Sequence, residues 1–187
     1  MPSRDLRVSP GIPRAVSEGL ALLRGRLDVP AGFTGKALKE VENLRDNPPG
    51  FPGHTDRTAV ELVTVDPATS KDLDQAVRIE RNGSGYRVYY AIADVAAWVK
   101  PGSALEAEAR QRGETLYAPG AKVPLYPDSF SEEVGSLLPD GRPRPAVLWT
   151  HDLDTDGVLT GVGVERALVR SHAKLSYEEV QADADAG

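Results

Sequence analysis

Asp66, Asp72 and Asp74 fall in one short run, Asp66-Pro-Ala-Thr-Ser-Lys-Asp-Leu-Asp74. Carboxylates gathered this closely suit one kind of chemistry. Their hard oxygens hold Mg²⁺, or Mn²⁺, and such a cation neutralises phosphoryl charge and generates hydroxide from water. Asp72 and Asp74, two residues apart, project to the same side of an extended chain. The turn-forming stretch from Pro67 to Lys71 lets Asp66 fold back beside them. Three convergent carboxylates repel one another unless a cation lies between them, so the cluster implies a bound metal or raised pKa values. The bland alternative is a solvated acidic loop, which a chain with 28 acidic residues can easily own.

A strand must deliver this loop. From Ala59 the period is two, with Val60, Leu62 and Thr64 facing one way and Glu61, Val63 and Val65 the other. Ala76 to Glu80 and Tyr86 to Ala93 are two further strands joined at Asn82-Gly-Ser-Gly85, a hairpin signal. Ser103 with Glu106 is a capping box that opens a short helix to Arg110, and Gly113 lies just beyond its end. Ser129 is placed to cap another short helix reaching Leu138. Ala146 to Asp152 and Val158 to Arg170 are strands around Asp154-Thr-Asp-Gly157. Ser176 to Gln181 begins a helix, after which the Ala-Asp repeat to Gly187 is featureless.

Upstream the period is helical. Val16, Leu20, Leu23 and Leu27 share one face, and Leu38, Val41 and Leu44 form a weaker stripe behind Thr34 as N-cap. Both stripes are expected to pack in a core, with a partner-docking face as the second reading. Asp46-Asn-Pro-Pro-Gly-Phe-Pro-Gly53 then breaks any regular element and serves as a linker. This divides the chain into a helical segment, residues 1–55, and a main domain, residues 56–187. The class is α+β with mainly antiparallel strands.

Composition bounds the function. Hydrophobic content of 40% and charged content of 27% describe a globular chain long enough to bury a core. No apolar run reaches membrane-spanning length, and no membrane partner is expected. There are no cysteines, which excludes disulfides and thiolate metal sites and is compatible with a cytoplasmic location. The net charge of −6 argues against a general electrostatic grip on nucleic acid and leaves room only for a local basic channel.

The run Thr64-Val-Asp-Pro-Ala-Thr-Ser-Lys-Asp-Leu-Asp-Gln-Ala76 resembles the signature of the ribonuclease II and ribonuclease R family, the RNB catalytic domain. The likeness continues in order through Ala91-Ile-Ala-Asp-Val95, Val99-Lys-Pro-Gly-Ser-Ala-Leu105, Gly113-Glu-Thr-Leu-Tyr-Ala-Pro-Gly120 and Val123-Pro-Leu-Tyr-Pro127. It extends through Ser131-Glu-Glu-Val-Gly-Ser-Leu-Leu-Pro139 to Ser171-His-Ala-Lys-Leu-Ser-Tyr-Glu-Glu-Val180. The resemblance implies an RNB-type mixed, mainly antiparallel sheet with surrounding helices. It also implies a hydrolytic 3′-to-5′ exoribonuclease that threads single-stranded RNA, uses Mg²⁺ and releases nucleoside 5′-monophosphates. On that likeness Asp66 and Asp72 help hold metal and phosphate, Asp74 is the critical carboxylate, and Tyr117 stacks on a base near the cleavage end.

Two departures qualify the resemblance. Gln75 stands where the family has a fourth aspartate, and an amide brings an oxygen but no charge to a metal. The family's domain also continues beyond the Leu-Ser-Tyr-Glu-Glu-Val block, supplying a second stacking aromatic and an arginine, so the chain is expected to be the front part of a longer domain. Residues 1–55 do not resemble the family's OB-type N-terminal domains. The alternative implied by Gln75 is a weak or inactive RNA-binding module of the same fold. A rival from another class, a calcium loop at Asp152-Leu-Asp-Thr-Asp-Gly157, fails because Gly163 occupies the position that needs an acid, and a hairpin turn is the better reading. His54, His151 and His172 show no ligand spacing, and Trp98 and Trp149 are expected in the core.

Overall fold

The computed structural model describes residues 14–187 apart from 31, 119 and 120. Residues 1–13 of the expected helical segment therefore lie outside the described residues, as do Pro119 and Gly120 of the quoted Gly113–Gly120 block. The elements are α1 (Arg14–Arg26), α2 (Gly35–Asp46), β1 (Thr55–Asp66), β2 (Gln75–Asn82), β3 (Gly85–Ala93), α3 (Val95–Trp98) and α4 (Ala104–Arg112). They continue with β4 (Leu116–Ala118), β5 (Ala121–Val123), a π-helical turn (Phe130–Val134), β6 (Arg144–Leu153), β7 (Leu159–Ser176) and α5 (Tyr177–Ala186).

The sheet predicted from alternation is a closed barrel in the order β1-β2-β3-β6-β7. Each successive pair is antiparallel, so the first and fifth strands run the same way, and the seam that joins them is parallel. Closure leaves the barrel without free edges. A five-stranded barrel is narrow, and its sequence answers with alanine. Ala76 pairs with Ala91, Ala91 with Leu148 and Ala146 with Ala167 across neighbouring strands, all buried. Leu62, Leu148, Val169 and Leu137 fill the remaining space. Gly85 opens β3 because the carbonyl of Leu153 comes so close that a Cβ there would lie 2.0 Å from it.

A second core lies between the helices. Ala37, Val41 and Leu44 of α2 pack on Trp98, Val99, Leu105, Phe130 and Val134, and Phe51 meets Trp98 edge-on at 5.0 Å between centroids. Thr34 caps α2 as expected, accepting from Ala37 N at 3.3 Å. The apolar stripe of α2 is centred on Ala37, Val41 and Leu44, which leaves Leu38 exposed. The stripe expected in the core from α1 is not packed: Val16, Leu23 and Leu27 are exposed. The helix forms, but of that stripe only Leu20 is even half-buried.

Other expectations need correction. Ser129 makes no side-chain cap, and the segment after it is a π-helical turn rather than a helix to Leu138. Gly135 follows because the Phe130 ring packs where a Cβ would stand, and Arg144 donates to the carbonyls of Glu133 and Val134 at 2.6 and 2.9 Å. Trp149 is not core; it is 36% exposed on the outer face of the barrel, stacked on His151. α5 does not stop near Gln181 but continues to Ala186 behind a full Ser176–Glu179 capping box. At Ser103 the box is incomplete, since Glu106 accepts from Gly102 N instead. The Asp154–Gly157 segment is the β6–β7 hairpin turn, with Asp154 accepting from Asp156 N and Val158 N.

One buried carboxylate joins barrel and helices. Asp94 leaves β3 for α3 and is only 6% exposed. Its Oδ2 receives Arg166 Nε at 2.7 Å and lies 3.0 Å from His54 Nε2. Burial alone pushes this carboxyl up, but the bonds from Arg166 and His54 outweigh it and hold it below the usual aspartate range. A depressed folded pKa adds stability above the unfolded value, near 4, that is lost as pH falls through the folded one. Asp94→Asn should therefore cost about 2–3 kcal/mol at pH 7, because Arg166 and His54 lose a charged partner. The variant's stability should also fall less steeply below about pH 4. Urea denaturation across pH 3 to 7, roughly the range bracketing these values, measures both.

Candidate active site

β1 ends at Asp66, paired in the parallel seam with Ser176, the N-cap of α5. The chain then turns at Pro67, whose carbonyl accepts from Ser70 N at 2.9 Å. Lys174 of β7 clamps the turn by donating to the carbonyls of Ala68 and Ser70 at 2.9 and 2.5 Å. Beyond it Leu73 is 2% exposed while Asp72 and Asp74 on either side are exposed. This alternation turns both carboxylates outward, as the two-residue spacing predicts. The Asp74 carbonyl accepts from Ala93 N at 2.9 Å, which ties the loop to the exit of β3.

Asp72 and Asp74 line one cavity of ≈ 300 Å³ together with Tyr117, Lys122, Ile92 and Tyr126. Tyr117 and Lys122 are cross-strand partners on the β4–β5 ribbon and so share a face. Lys122 Nζ lies 3.5 Å from Asp72 Oδ2. The Tyr117 side chain is 78% exposed, which excludes the packed-tyrosine reading and leaves its ring free for stacking. The cavity therefore combines two carboxylates, one ammonium and one open aromatic face.

Asp66 stands outside this lining and is coupled to it through charge. Desolvation first, then the carboxylates of Asp74 and Asp72, push its pKa up, against Lys174, which lowers it. Asp74, though exposed at its outer edge, is likewise raised, first by partial desolvation at the cavity wall and then by Asp72, against its own backbone N–H, which lowers it. Among the described residues no three His, Cys, Asp or Glu side chains are grouped to hold a metal ion by themselves. Mg²⁺ is commonly held by one or two carboxylates, with water and substrate phosphate completing the shell, and Asp72 with Asp74 fits that number. The mutual repulsion is what a hard cation would relieve. Gln75 opens β2 and lies outside the cavity lining; its Oε1 accepts from the Tyr90 hydroxyl.

Sequence reasoning missed both lysines. Lys174 and Lys122 each sit in or beside a quoted block, but only the fold brings β7 and β5 to this loop. No local pattern singles these two out of the chain's 22 lysines and arginines.

Raised carboxyl pKa values mean that ionisation at these positions opposes folding, a penalty absent below the unfolded pKa and complete above the raised one. Asp66→Asn should raise Tm at pH 7 by about 1–3 °C, the response of a chain this size to a modest gain, and Asp74→Asn, more exposed and screened by water, should raise it by less. The gain should vanish as pH falls below about 4, where the parent's carboxyls are protonated too. Thermal melts of parent and variants at the two pH values decide it; a lower Tm at pH 7 would contradict the electrostatic account.

Residues 54–186 match the family described as the RNB domain. Exoribonuclease 2 of Vibrio vulnificus (strain YJ016) is 33% identical over 153 residues, covering 81% of this chain and 22% of the relative. Ribonuclease R of Mycoplasma pneumoniae (strain ATCC 29342 / M129 / Subtype 1) is 39% identical over 130 residues, covering 69% of this chain and 18% of the relative. Among solved structures, Mycoplasma genitalium RNase R in complex with ribose methylated single-stranded RNA superposes with a TM-score of 0.77. That match is 25% identical over 90% of this chain and 26% of the other. The chain thus spans about a quarter or less of the length of these relatives.

Proposed function

The chain belongs to the RNB domain family, and we propose that it carries the metal-holding and base-stacking end of a hydrolytic 3′-to-5′ exoribonuclease. The substrate is single-stranded RNA and the products are nucleoside 5′-monophosphates. One observation carries this reading: the family match runs through Asp72, Asp74 and Tyr117, and these residues line a single cavity. Asp72 and Asp74 would hold Mg²⁺, with Mn²⁺ as a substitute, and Asp66 would shape their field from the end of β1. When bound, the cation neutralises phosphoryl charge and lowers the pKa of water. Lys122 draws phosphate toward the carboxylates, and its pairing with Asp72 keeps the ammonium at the cavity wall. Tyr117 offers its ring to a terminal base, a contact indifferent to sequence. A substrate of this kind, with a chain free of cysteine, fits work in the cytoplasm.

A second reading rests on Gln75, an amide at the family's fourth carboxylate: an RNA-binding module without turnover. Incubating the chain with 5′-labelled single-stranded RNA and Mg²⁺ separates the two. Shortening from the 3′ end supports the enzyme. Binding without shortening at any Mg²⁺ or Mn²⁺ concentration supports the module.

For the enzyme, Asp74→Asn should slow hydrolysis at least about 100-fold while leaving RNA binding intact, since a group acting on the developing charge is lost. Unchanged turnover would remove Asp74 from the mechanism. Tyr117→Ala should weaken binding of a short RNA by on the order of 1–3 kcal/mol, measured by fluorescence anisotropy.

Gln75→Asp makes a separate prediction. Because Gln75 faces Tyr90 and not the cavity, the Mg²⁺ concentration giving half-maximal activity should stay within about two-fold of the parent's; a marked fall would place the position in the metal shell.

A further inference from the structure

The loop that presents Asp72 and Asp74 has to stay fixed although both carboxylates repel each other and face water. Its fixed point is Leu73, and the groups that fix it come from the segment after the π-helical turn. Ser136, 1% exposed, accepts from Leu73 N with its Oγ at 2.8 Å. Leu137 N donates to Leu73 O at 2.6 Å. The Ser136 hydroxyl proton then has two carbonyls within reach, Leu73 O at 3.3 Å and Lys71 O at 3.4 Å. Both backbone groups of Leu73 are thereby satisfied by two consecutive residues, and Leu137 is itself seated in the barrel core. A side-chain hydroxyl is needed here because it accepts from Leu73 and can donate back to the same loop, a combination that alanine or glycine lacks.

We propose that Ser136 is a positioning residue for the acidic loop: its hydroxyl, through Leu73, sets the outward orientation and the spacing of Asp72 and Asp74. The Ser136 side chain does not line the cavity, and its effect passes through the loop backbone, at Leu73 and at the Lys71 carbonyl. As a statement about metal, the inference rests on the proposed role of the two carboxylates; as a statement about the loop, it stands on the hydrogen bonds alone. Residues that orient metal ligands from behind alter affinity by about 10–100-fold when removed, and a buried N–H left without its acceptor is held poorly.

The test uses the whole chain with Mn²⁺ as probe, free Mn²⁺ being read by electron paramagnetic resonance, and amide hydrogen exchange followed by NMR. In the parent, Leu73 N–H should exchange far more slowly than the amide of Lys71. Ser136→Ala should raise the Mn²⁺ dissociation constant about 10-fold and speed exchange at Leu73. Ser171→Ala removes another buried hydroxyl, one that bonds within β7; it should lower Tm comparably yet leave Mn²⁺ affinity and Leu73 exchange unchanged. Rapid exchange at Leu73 in the parent overturns the proposal without any variant. So does a Ser136→Ala protein that keeps both Leu73 protection and Mn²⁺ affinity, or an equal loss of affinity in Ser171→Ala. A parent that binds no Mn²⁺ sinks the metal reading instead, and the exchange at Leu73 still decides the role of Ser136.

Discussion

A barrel of five strands that run alternately up and down can close only by laying its last strand parallel to its first. Here that seam joins β1 to β7, from Thr55 with Ala167 to Asp66 with Ser176. The site hangs from its far end. Asp66 is the last residue of β1, Lys174 reaches across from β7 to clamp the following turn, and α5 starts where the seam stops. The narrowness imposed by five strands also explains the alanines that face one another inside. Larger side chains there would hold the strands apart and carry the ends of β1 and β7 away from each other.

Around the cavity, packing and charge pull in opposite directions. Partial desolvation and mutual repulsion raise Asp66 and Asp74, so the folded chain holds an arrangement that ionisation opposes. Lys122 and Lys174 offset part of it, one by pairing with Asp72, the other by lowering Asp66. Asp94 shows the contrary design: a carboxylate more deeply buried, yet held ionised because Arg166 and His54 aim at it. A carboxylate with its partners built in serves the fold, whereas Asp72 and Asp74 keep theirs open, the condition under which a ligand can supply the missing charge.

Much of this was legible in the sequence because it was local. Alternation in β1, the Asn82–Gly85 hairpin, the Thr34 cap and the outward pair Asp72 and Asp74 each depend on residues a few positions apart. Helical period alone did not say which face of α2 is buried, and in α1 it marks an apolar face that is left mostly exposed among the described residues. Barrel closure, the inclusion of Lys122 and the bracing of Leu73 join positions dozens of residues apart, and no short-range pattern encodes them. Ser129 misled because a cap signal cannot distinguish a regular helix from a π-helical turn held by Arg144. Trp149 misled because a large aromatic was assumed to point inward, whereas strand register turns it out with Val164.

That register has an optical consequence. The chain has two indoles, and they inhabit opposite surroundings: Trp98 is enclosed between α2 and the π-helical turn with Phe51 at its edge, while Trp149 lies against His151 on the wet side of the barrel. An enclosed indole emits toward the blue and a hydrated one toward the red. The intrinsic fluorescence of this protein is thus a composite of two colours, one reporting the helical core and the other the barrel wall, in a chain to which no dye need be attached.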